Sequence, residues 1–517
     1  MASFDGELGE DALAREPTSD PQYATVCDQE RRSSRSSEDL AFALQFGMQP
    51  FLWSGYDIFS LPTITAQELF GAMWFAHIRD SLEHSLFPPE HVHEGERGKR
   101  NQGDEDSAQG RDGSMRILVV APRVSRTGGA EVVPRDNAMA LSDAGHTVLL
   151  LHGDRESPGS IPGVETRYVR NLATRMSIST AGLENAWEVA REEGSDIVDI
   201  HVVGHLSSPN GIREIARDRP VVLTVHTHAC TCPNWLRVPA RRLPICEHDF
   251  GFRCLLNSYW LGCRRGSWDS LLKRWRGVLL TRFSARRAHG ILVLSEYMKK
   301  TLVNAGFREN RVSVVPPSFT GLRSIAKSFA EGRSTKMVLF VGRLSFEKGV
   351  PLLLQASKRI STSHQVVVAG DGGDRDRIEA TAHQLGISER IQFAGWVEGD
   401  GLGALYAKAS VVVMPSHSAE TFGLVGLEAM VHSCPVVAFG VGGISDWLQD
   451  GVNGFLVKPW DVGVLALRID TLLRDPELAR QMGRRGRRIA ETQFGPQLFL
   501  ERALGAYQKA IDVFGGQ

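Results

Sequence analysis

An unbroken apolar run, Val411-Val412-Val413-Met414, leads into Pro415-Ser416-His417-Ser418-Ala419-Glu420-Thr421-Phe422-Gly423 and then into a helix-forming stretch from Leu424 to Val431. A strand without a polar face belongs inside a parallel sheet covered on both sides. The order places Glu420 in the loop at the strand's carboxyl end and Glu428 one turn into the following helix, with seven residues between them. Open parallel sheets bind ligands at that end, and a helix N-terminus there favours anions. A charged carboxylate in such a place can accept hydrogen bonds from hydroxyl groups. On spacing alone, two glutamates are more commonly a solvated helix face, so the surrounding sequence has to decide.

The chain has 517 residues, which at one domain per roughly 150 residues suggests three units. Apolar residues make up 42% and charged residues 23%, ordinary for a globular protein. The 52 glycines suit a fold with many strand-to-helix turns. A net charge of -1 gives no reason to expect nucleic acid, whose binding domains are strongly basic. No apolar run reaches the ~18 residues of a membrane span, and the acidic N-terminus lacks the apolar core of a secretory signal. A cytoplasmic protein is the expectation. Seven cysteines in so long a chain do not suggest a disulfide scaffold.

Residues 1–38 are polar and charged, and residues 88–113 read as a linker. Between them, 65–87 carry apolar residues at helical spacing, opened by Thr65 and Glu68 in capping-box form. The N-terminal extension 1–113 is expected to be mostly disordered with one amphipathic helix. That helix must dock on the main body, a partner or a membrane surface to be stable. The first α/β unit opens with a strand at Arg116–Val120, a loop holding Gly128-Gly129, a helix from Glu131 and a second strand at Thr147–Leu151. Pro134 is tolerable only in that helix's first turn. The loop is not GxGxxG, so a dinucleotide is poorly supported. Strands at Ile197–Ile200 and Val221–Val225 end at His201 and His226. A histidine there can donate a hydrogen bond or move a proton near pH 7, or be a satisfied structural residue. In the second unit Arg343 and Lys348 follow the strand Met337–Val341. Two cations at a strand end can neutralise a departing diphosphate.

Taken in order, Phe340-Val341-Gly342-Arg343-Leu344 with Lys348-Gly349, Val366 to Gly372, Phe393-Ala394-Gly395-Trp396, the Glu420/Glu428 stretch, Pro435-Val436-Val437-Ala438 and Gly442-Gly443 resemble the nucleotide-sugar half of the retaining GT-B glycosyltransferases of the GT4 family. The match runs over most of residues 114–490. The glutamate pair with the Gly-Arg-Leu…Lys-Gly element is its specific part. The resemblance implies an α/β GT-B fold, with two Rossmann-like doubly wound domains facing a cleft. Residues 114–315 would form the acceptor domain and 316–490 the nucleotide-sugar domain, with 491–517 a terminal helix crossing back to the first domain. It implies transfer of a hexosyl group from a nucleotide diphosphate sugar to an acceptor hydroxyl, most often in polysaccharide or glycolipid synthesis. The acceptor would be a saccharide or lipid-linked, and no cofactor is needed for catalysis. By the same resemblance Glu428 would bind ribose hydroxyls and Glu420 those of the donor sugar. The backbone of Phe422, Gly423 and Leu424 would lie near sugar and phosphates, Arg343 and Lys348 near the leaving diphosphate, and Gly128 and Gly129 near the phosphates or the acceptor. His226 matches the histidine of the family's His-Asp pair, with Thr227 in place of the aspartate, and is with Glu420 a catalytic candidate. The rivals are a GT-B epimerase or phosphorylase and a non-catalytic metal-binding scaffold.

Five of the seven cysteines fall within residues 230–263. Such density in a cytoplasmic chain favours a metal over disulfides, although reduced unligated thiols and redox use stay open. With Cys230 set aside, Cys232, Cys246, Cys254 and Cys263 could hold structural Zn²⁺ or an iron–sulfur cluster. His226, His228 and His248 are further ligand candidates. Residues 270–289 form a basic amphipathic helix. It is either a surface helix with snorkelling arginines or a peripheral contact with anionic lipid at the membrane's inner face.

Overall fold

The computed structural model describes residues 113–516, apart from 125–127, 156–158, 175–176, 207–209, 239–244, 248–249, 252–253, 255–262, 264–267 and 319–335. The expected N-terminal helix 65–87, with Cys27 and His248, lies outside the described residues.

Two parallel sheets organise the described chain. The first is built from β1 (Arg116–Ala121), β2 (Thr147–His152), β3 (Glu165–Tyr168), β6 (Ile197–Val202), β7 (Val221–Val225), β8 (Gly290–Val293) and β9 (Val312–Val314), while β4 (Ala173–Thr174) and β5 (Ser177–Ile178) make a small separate ladder. Its spatial order is β3-β2-β1-β6-β7-β8-β9. The second sheet uses β10 (Met337–Val341), β11 (Gln365–Ala369), β12 (Ile391–Gly395), β13 (Val411–Met414), β14 (Val436–Phe439) and β15 (Gly454–Val457), in the order β12-β11-β10-β13-β14-β15. In both sheets the chain runs outward through three strands and then returns to the far side of the first, as doubly wound sheets do.

The strand period of two explains the layers. Along β1, Leu118 and Val120 enter one apolar cluster with Val198, Ile200, Leu223 and Val225. Ile117, Val119 and Ala121 enter the cluster on the opposite face. That second face is closed by the helix Pro496–Gly515, whose Phe499, Ala503, Ala506, Tyr507 and Ala510, at helical spacing, pack with Ile117, Val119 and Leu292. The last described helix therefore completes the core of the first sheet. In the second sheet, β13 and β14 are buried throughout, as a strand apolar on both faces requires.

One local expectation shifts. The helix after β1 begins at Gly129, because the Gly128 carbonyl already accepts from the N–H groups of Glu131 and Val132. Pro134 consequently sits in the second turn. Residues Val312–Val314 pair in parallel with β8 and end the first sheet.

A buried polar contact fixes the terminal helix. Tyr507 donates a 2.7 Å hydrogen bond to Asp199 Oδ2 on β6, and Thr224 Oγ1 on β7 donates to Asp199 Oδ1 at 2.6 Å. Tyr507→Phe removes one donor from a buried carboxyl group without opening a cavity. It should cost about 1.5–3 kcal/mol, the range for a hydrogen bond to a charged group, read as a lower denaturant midpoint with an unchanged slope.

Candidate active site

The strand orders dictate where the sequence-predicted residues gather. In the second sheet β10 and β13 are neighbours at the point where the order reverses. Arg343 and Lys348 follow β10, and Glu420 follows β13. In the first sheet β1 and β6 hold the corresponding place. Gly128 and Gly129 follow β1, His201 lies within β6 near its end, and His226 follows β7.

Lys348 Nζ lies 2.6 Å from Glu420 Oε1, with side-chain exposures of 27% and 11%. Burial works to raise the Glu420 pKa, but the Lys348 charge, the hydrogen bonds from Lys348 and Ser416, and Arg343 together hold it below its ordinary value. Glu420 is thus kept as a carboxylate. Its backbone is gripped as firmly as its side chain. The Glu420 carbonyl accepts from Gly443 N–H at 2.7 Å. Gly442 sits at φ +60°, where a Cβ would meet that same carbonyl at 2.1 Å. The loop's other end is held in the same way: at Gly349, φ +70°, a Cβ would stand 2.0 Å from the Pro415 carbonyl. The glycines of the Lys348-Gly349 and Gly442-Gly443 elements therefore let three strand-end loops close on one another. Arg343 is exposed, within electrostatic reach of Glu420.

Gly423 takes the left-handed conformation, φ 90°, as the N-cap of the helix Leu424–Val431. The helix's first N–H groups open beside Glu420, as an anion site requires. Phe422 contributes backbone only. Its ring is 1% exposed, and its carbonyl accepts from Trp447 Nε1 at 2.7 Å. Glu428, one turn on, accepts from Tyr406 at 2.5 Å. Burial pushes its pKa up to about 7, the Tyr406 bond opposing.

The first domain closes over this site. A Cβ on Gly129 would meet Leu424 Cδ1 at 2.8 Å, so the Gly128-Gly129 loop reaches the start of the helix Leu424–Val431. His228 Nε2 lies 3.2 Å from the Ala419 carbonyl. Burial and then Arg237 lower the His228 pKa to about 3, so the ring is neutral, and the carbonyl makes Nε2 the donor. The Ala419 N–H donates to the Leu236 carbonyl at 3.2 Å. The residue before Glu420 is thus held at both polar atoms, by His228 at its carbonyl and by Leu236 at its N–H.

His226 is 3% exposed, and its Nε2 lies 2.7 Å from His201 Nδ1. His201 Nε2 in turn is 3.6 Å from Asp199 Oδ2. A lone pair facing that carboxyl group would be repelled, which places the proton of His201 on Nε2. His201 Nδ1 then accepts, His226 Nε2–H donates, and His226 Nδ1 is left as a lone pair with no hydrogen-bond partner among the described residues. Burial, then the neighbouring His201, holds the His226 pKa well below its ordinary value. Thr227, standing where the resembled motif has aspartate, donates to the Val203 carbonyl at 2.6 Å and takes no part in this chain. Sequence reading named His201 and His226 as strand-end histidines and His226 and His228 as ligand candidates, but missed Asp199 and the contacts that join them. The signal for Asp199 was the Asp-x-His spacing, which puts it on one face of β6 with His201.

Cys232, Cys246, Cys254 and Cys263 are partly buried and unbridged, while Cys230 is buried in the first domain's core. Burial pushes the Cys263 thiol up to about 12, with Cys246 and Cys232 adding to the effect. Among the described residues no group of three or more His, Cys, Asp or Glu side chains is set in metal-holding geometry.

The Lys348–Glu420 pair generates a stability prediction. A carboxylate whose folded pKa is depressed adds stability above its unfolded pKa, and that stability is lost as pH falls through the folded value. Lys348→Met should therefore destabilise the protein by about 2 kcal/mol at neutral pH, with the deficit shrinking in acid as Glu420 is protonated. Unfolding midpoints measured across pH check both the size and the trend.

Residues 127–319 match the Glycosyltransferase Family 4 profile, and residues 323–489 match Glycosyl transferases group 1. A D-inositol 3-phosphate glycosyltransferase of Acidothermus cellulolyticus is 33% identical over 227 residues, 40% of this chain and 50% of that protein. An uncharacterized glycosyltransferase of Methanocaldococcus jannaschii is 35% identical over 182 residues, 35% of this chain and 46% of its own. The chain spans about half the length of these curated relatives. Among solved structures, Anabaena HepE in complex with UDP and glucose aligns with a TM-score of 0.56 at 20% identity, covering 76% of this chain and 99% of HepE. Sucrose-phosphate synthase of Thermosynechococcus elongatus aligns at 0.58 and 20% identity, covering 78% and 100%. Two Rossmann-like parallel sheets in the order of a GT-B protein, with both halves matched to consecutive glycosyltransferase profiles, make the chain a member of the GT4-like glycosyltransferases.

Proposed function

We propose that the protein transfers a sugar from a nucleotide diphosphate sugar to an acceptor hydroxyl with retention of configuration. The observation that carries this reading is the convergence at one strand-end crevice of Arg343, the Lys348–Glu420 pair, an open helix N-terminus and Glu428. Glu428 would accept from the ribose hydroxyls and Glu420 from hydroxyls of the donor sugar. The N–H groups that follow Gly423 would face the diphosphate, together with Arg343 and Lys348. Charge builds on that diphosphate as the glycosyl–phosphate bond breaks, and preorganised cations and dipoles lower its cost. The reading assigns no cofactor to catalysis.

The acceptor oxygen would approach the sugar's anomeric carbon from the face the phosphate leaves, and the departing phosphate oxygen would take its proton. His226 is the acceptor-side candidate, its Nδ1 buried and without a hydrogen-bond partner among the described residues. Relatives named for glycosyl transfer to D-inositol 3-phosphate and to 2-deoxystreptamine, and a neighbour solved with UDP and glucose, fit a nucleotide-sugar donor. A saccharide or lipid-linked acceptor, in polysaccharide or glycolipid synthesis, is the setting we assign. The basic helix Trp268–Arg287 turns several arginines back onto the protein: Arg282 lies over Phe250, Arg286 over Phe307 and Arg287 over Phe283. No helix among the described residues is long and apolar enough to cross a membrane.

A thermal-shift panel of UDP, GDP, ADP and their sugars tests the donor site, since a ligand bound only by the folded state raises the melting point. One nucleotide should stabilise the protein; no shift from any of them would sink the reading. Because Glu428 titrates near 7, and only its carboxylate accepts from both ribose hydroxyls, donor affinity should rise between about pH 6 and 8. Glu428→Gln should flatten that rise and weaken binding about tenfold or more. Arg343→Ala should lower kcat about 100-fold in a sugar-transfer assay, and near-normal turnover would remove Arg343 from the reaction.

A further inference from the structure

We propose that Tyr406 is a positioning residue for the nucleotide: its hydroxyl holds one oxygen of Glu428 and leaves the other for the ribose. This role rests on the reading of Glu428 as the group that accepts from the ribose hydroxyls. Tyr406 comes from the helix Gly399–Lys408, which joins β12 to β13, and it is 1% exposed. Its hydroxyl donates to Glu428 Oε2 at 2.5 Å, and a hydrogen bond to an ionised acceptor is the stronger kind. Glu428 keeps part of its surface exposed and has no other side-chain partner among the described residues. Oε2 is thus turned inward to a buried hydroxyl, whereas Oε1 is not enclosed.

The ring that carries this hydroxyl is held from the same helix as its partner. His432, at the C-cap of Leu424–Val431, stacks on Tyr406 with ring centroids 5.1 Å and planes 20° apart. Its Nδ1 lies 2.8 Å from the Glu428 carbonyl. A carbonyl oxygen only accepts, so Nδ1 carries the proton. Tyr406 therefore meets Glu428 directly at the carboxyl group and, through His432, at the backbone. An anchored carboxyl oxygen is already ordered before a ligand arrives, which spares the ligand that ordering cost.

The same bond bears on when Glu428 is charged. Burial pushes its pKa up to about 7, and the Tyr406 hydrogen bond works against burial. Burial, then Glu428, holds Tyr406 well above its ordinary value, so it stays a donor. The elements packed around the Glu428 helix add no competing charge among the described residues. β13 and β14 carry no titratable residue. Arg487 of the helix Pro476–Gln493 turns to Glu491 and to the Val431 carbonyl, and the Cys434 thiol to the Ala409 carbonyl at 3.4 Å. Without the Tyr406 hydroxyl, burial acts unopposed and the Glu428 pKa must rise.

Calorimetric binding of UDP, GDP and ADP to the full-length protein, between about pH 6 and 9, tests the role. At pH 7 Tyr406→Phe should weaken the nucleotide that binds about tenfold. The pH at which affinity rises should move up by about one unit, so the deficit narrows in alkali. In a Glu428→Gln background the same substitution should add little, because two residues that act through one contact are not additive. Without nucleotide, an infrared carboxyl titration, with Glu428→Gln as the reference, should show Glu428 losing its proton about one unit higher in Tyr406→Phe. An unmoved midpoint, or an equal loss in both backgrounds, would overturn the role and leave Tyr406 a core residue. Failure of all three nucleotides to bind the wild type would sink the transferase reading itself, whereas binding with an unmoved midpoint in Tyr406→Phe sinks the role of Tyr406 alone.

Discussion

The ion pair between Lys348 and Glu420 is the contact on which the geometry of the second domain's crevice depends. It joins two loops that leave neighbouring strands, β10 and β13, at the place where the sheet reverses its winding. A carboxylate only 11% exposed is tolerable when a cation and hydrogen bonds replace the water it gives up. Lys348, Ser416 and Arg343 supply that replacement. Because Lys348 neutralises Glu420, Arg343 remains as the exposed cation of the pair. The two basic residues, equivalent in sequence, are therefore unequal in the fold: one sets the carboxylate's position, the other faces the solvent that a ligand would displace.

Much of this was legible in the primary sequence because parallel sheets write themselves plainly. Strands buried on both faces appear as apolar runs, and the glycines at their ends mark where loops must approach closely. Gly349 and Gly442 were readable as motif residues; what they permit, the backbone of Pro415 and Glu420 lying against them, is a tertiary fact. Of the five clustered cysteines, Cys230 falls in the core, and no group of three or more metal-ligating side chains is found among the described residues.

His201 and His226 were legible as strand-end candidates, but the buried polar chain Tyr507–Asp199–His201–His226 that joins them was not. Its members come from two adjacent strands and from a helix 308 residues away from Asp199, and no local pattern links a tyrosine in a terminal amphipathic helix to an aspartate in the middle of a strand. The sequence does show Asp199 as a polar interruption of an apolar strand. A buried carboxyl group of that kind requires partners, which is the general form of the missed signal. His228 was legible only as a ligand candidate, and its contact with Ala419 escaped for a related reason: the partner is a backbone carbonyl, and backbone atoms leave no trace in a pattern of side chains.

The docking of Pro496–Gly515 onto the first sheet also has a consequence for how the protein is made. On the ribosome, the strands of the first domain emerge early, but the residues that seal one face of their sheet, Phe499, Ala503 and Tyr507 among them, emerge only after the whole second domain. The second domain draws its apolar core almost wholly from residues 337–494, with Leu294 of the first domain added to it, and can largely close by itself. The first domain must wait with Ile117, Val119 and Leu292 uncovered, so the nascent chain carries an exposed apolar surface, a natural target for chaperones, through most of its synthesis.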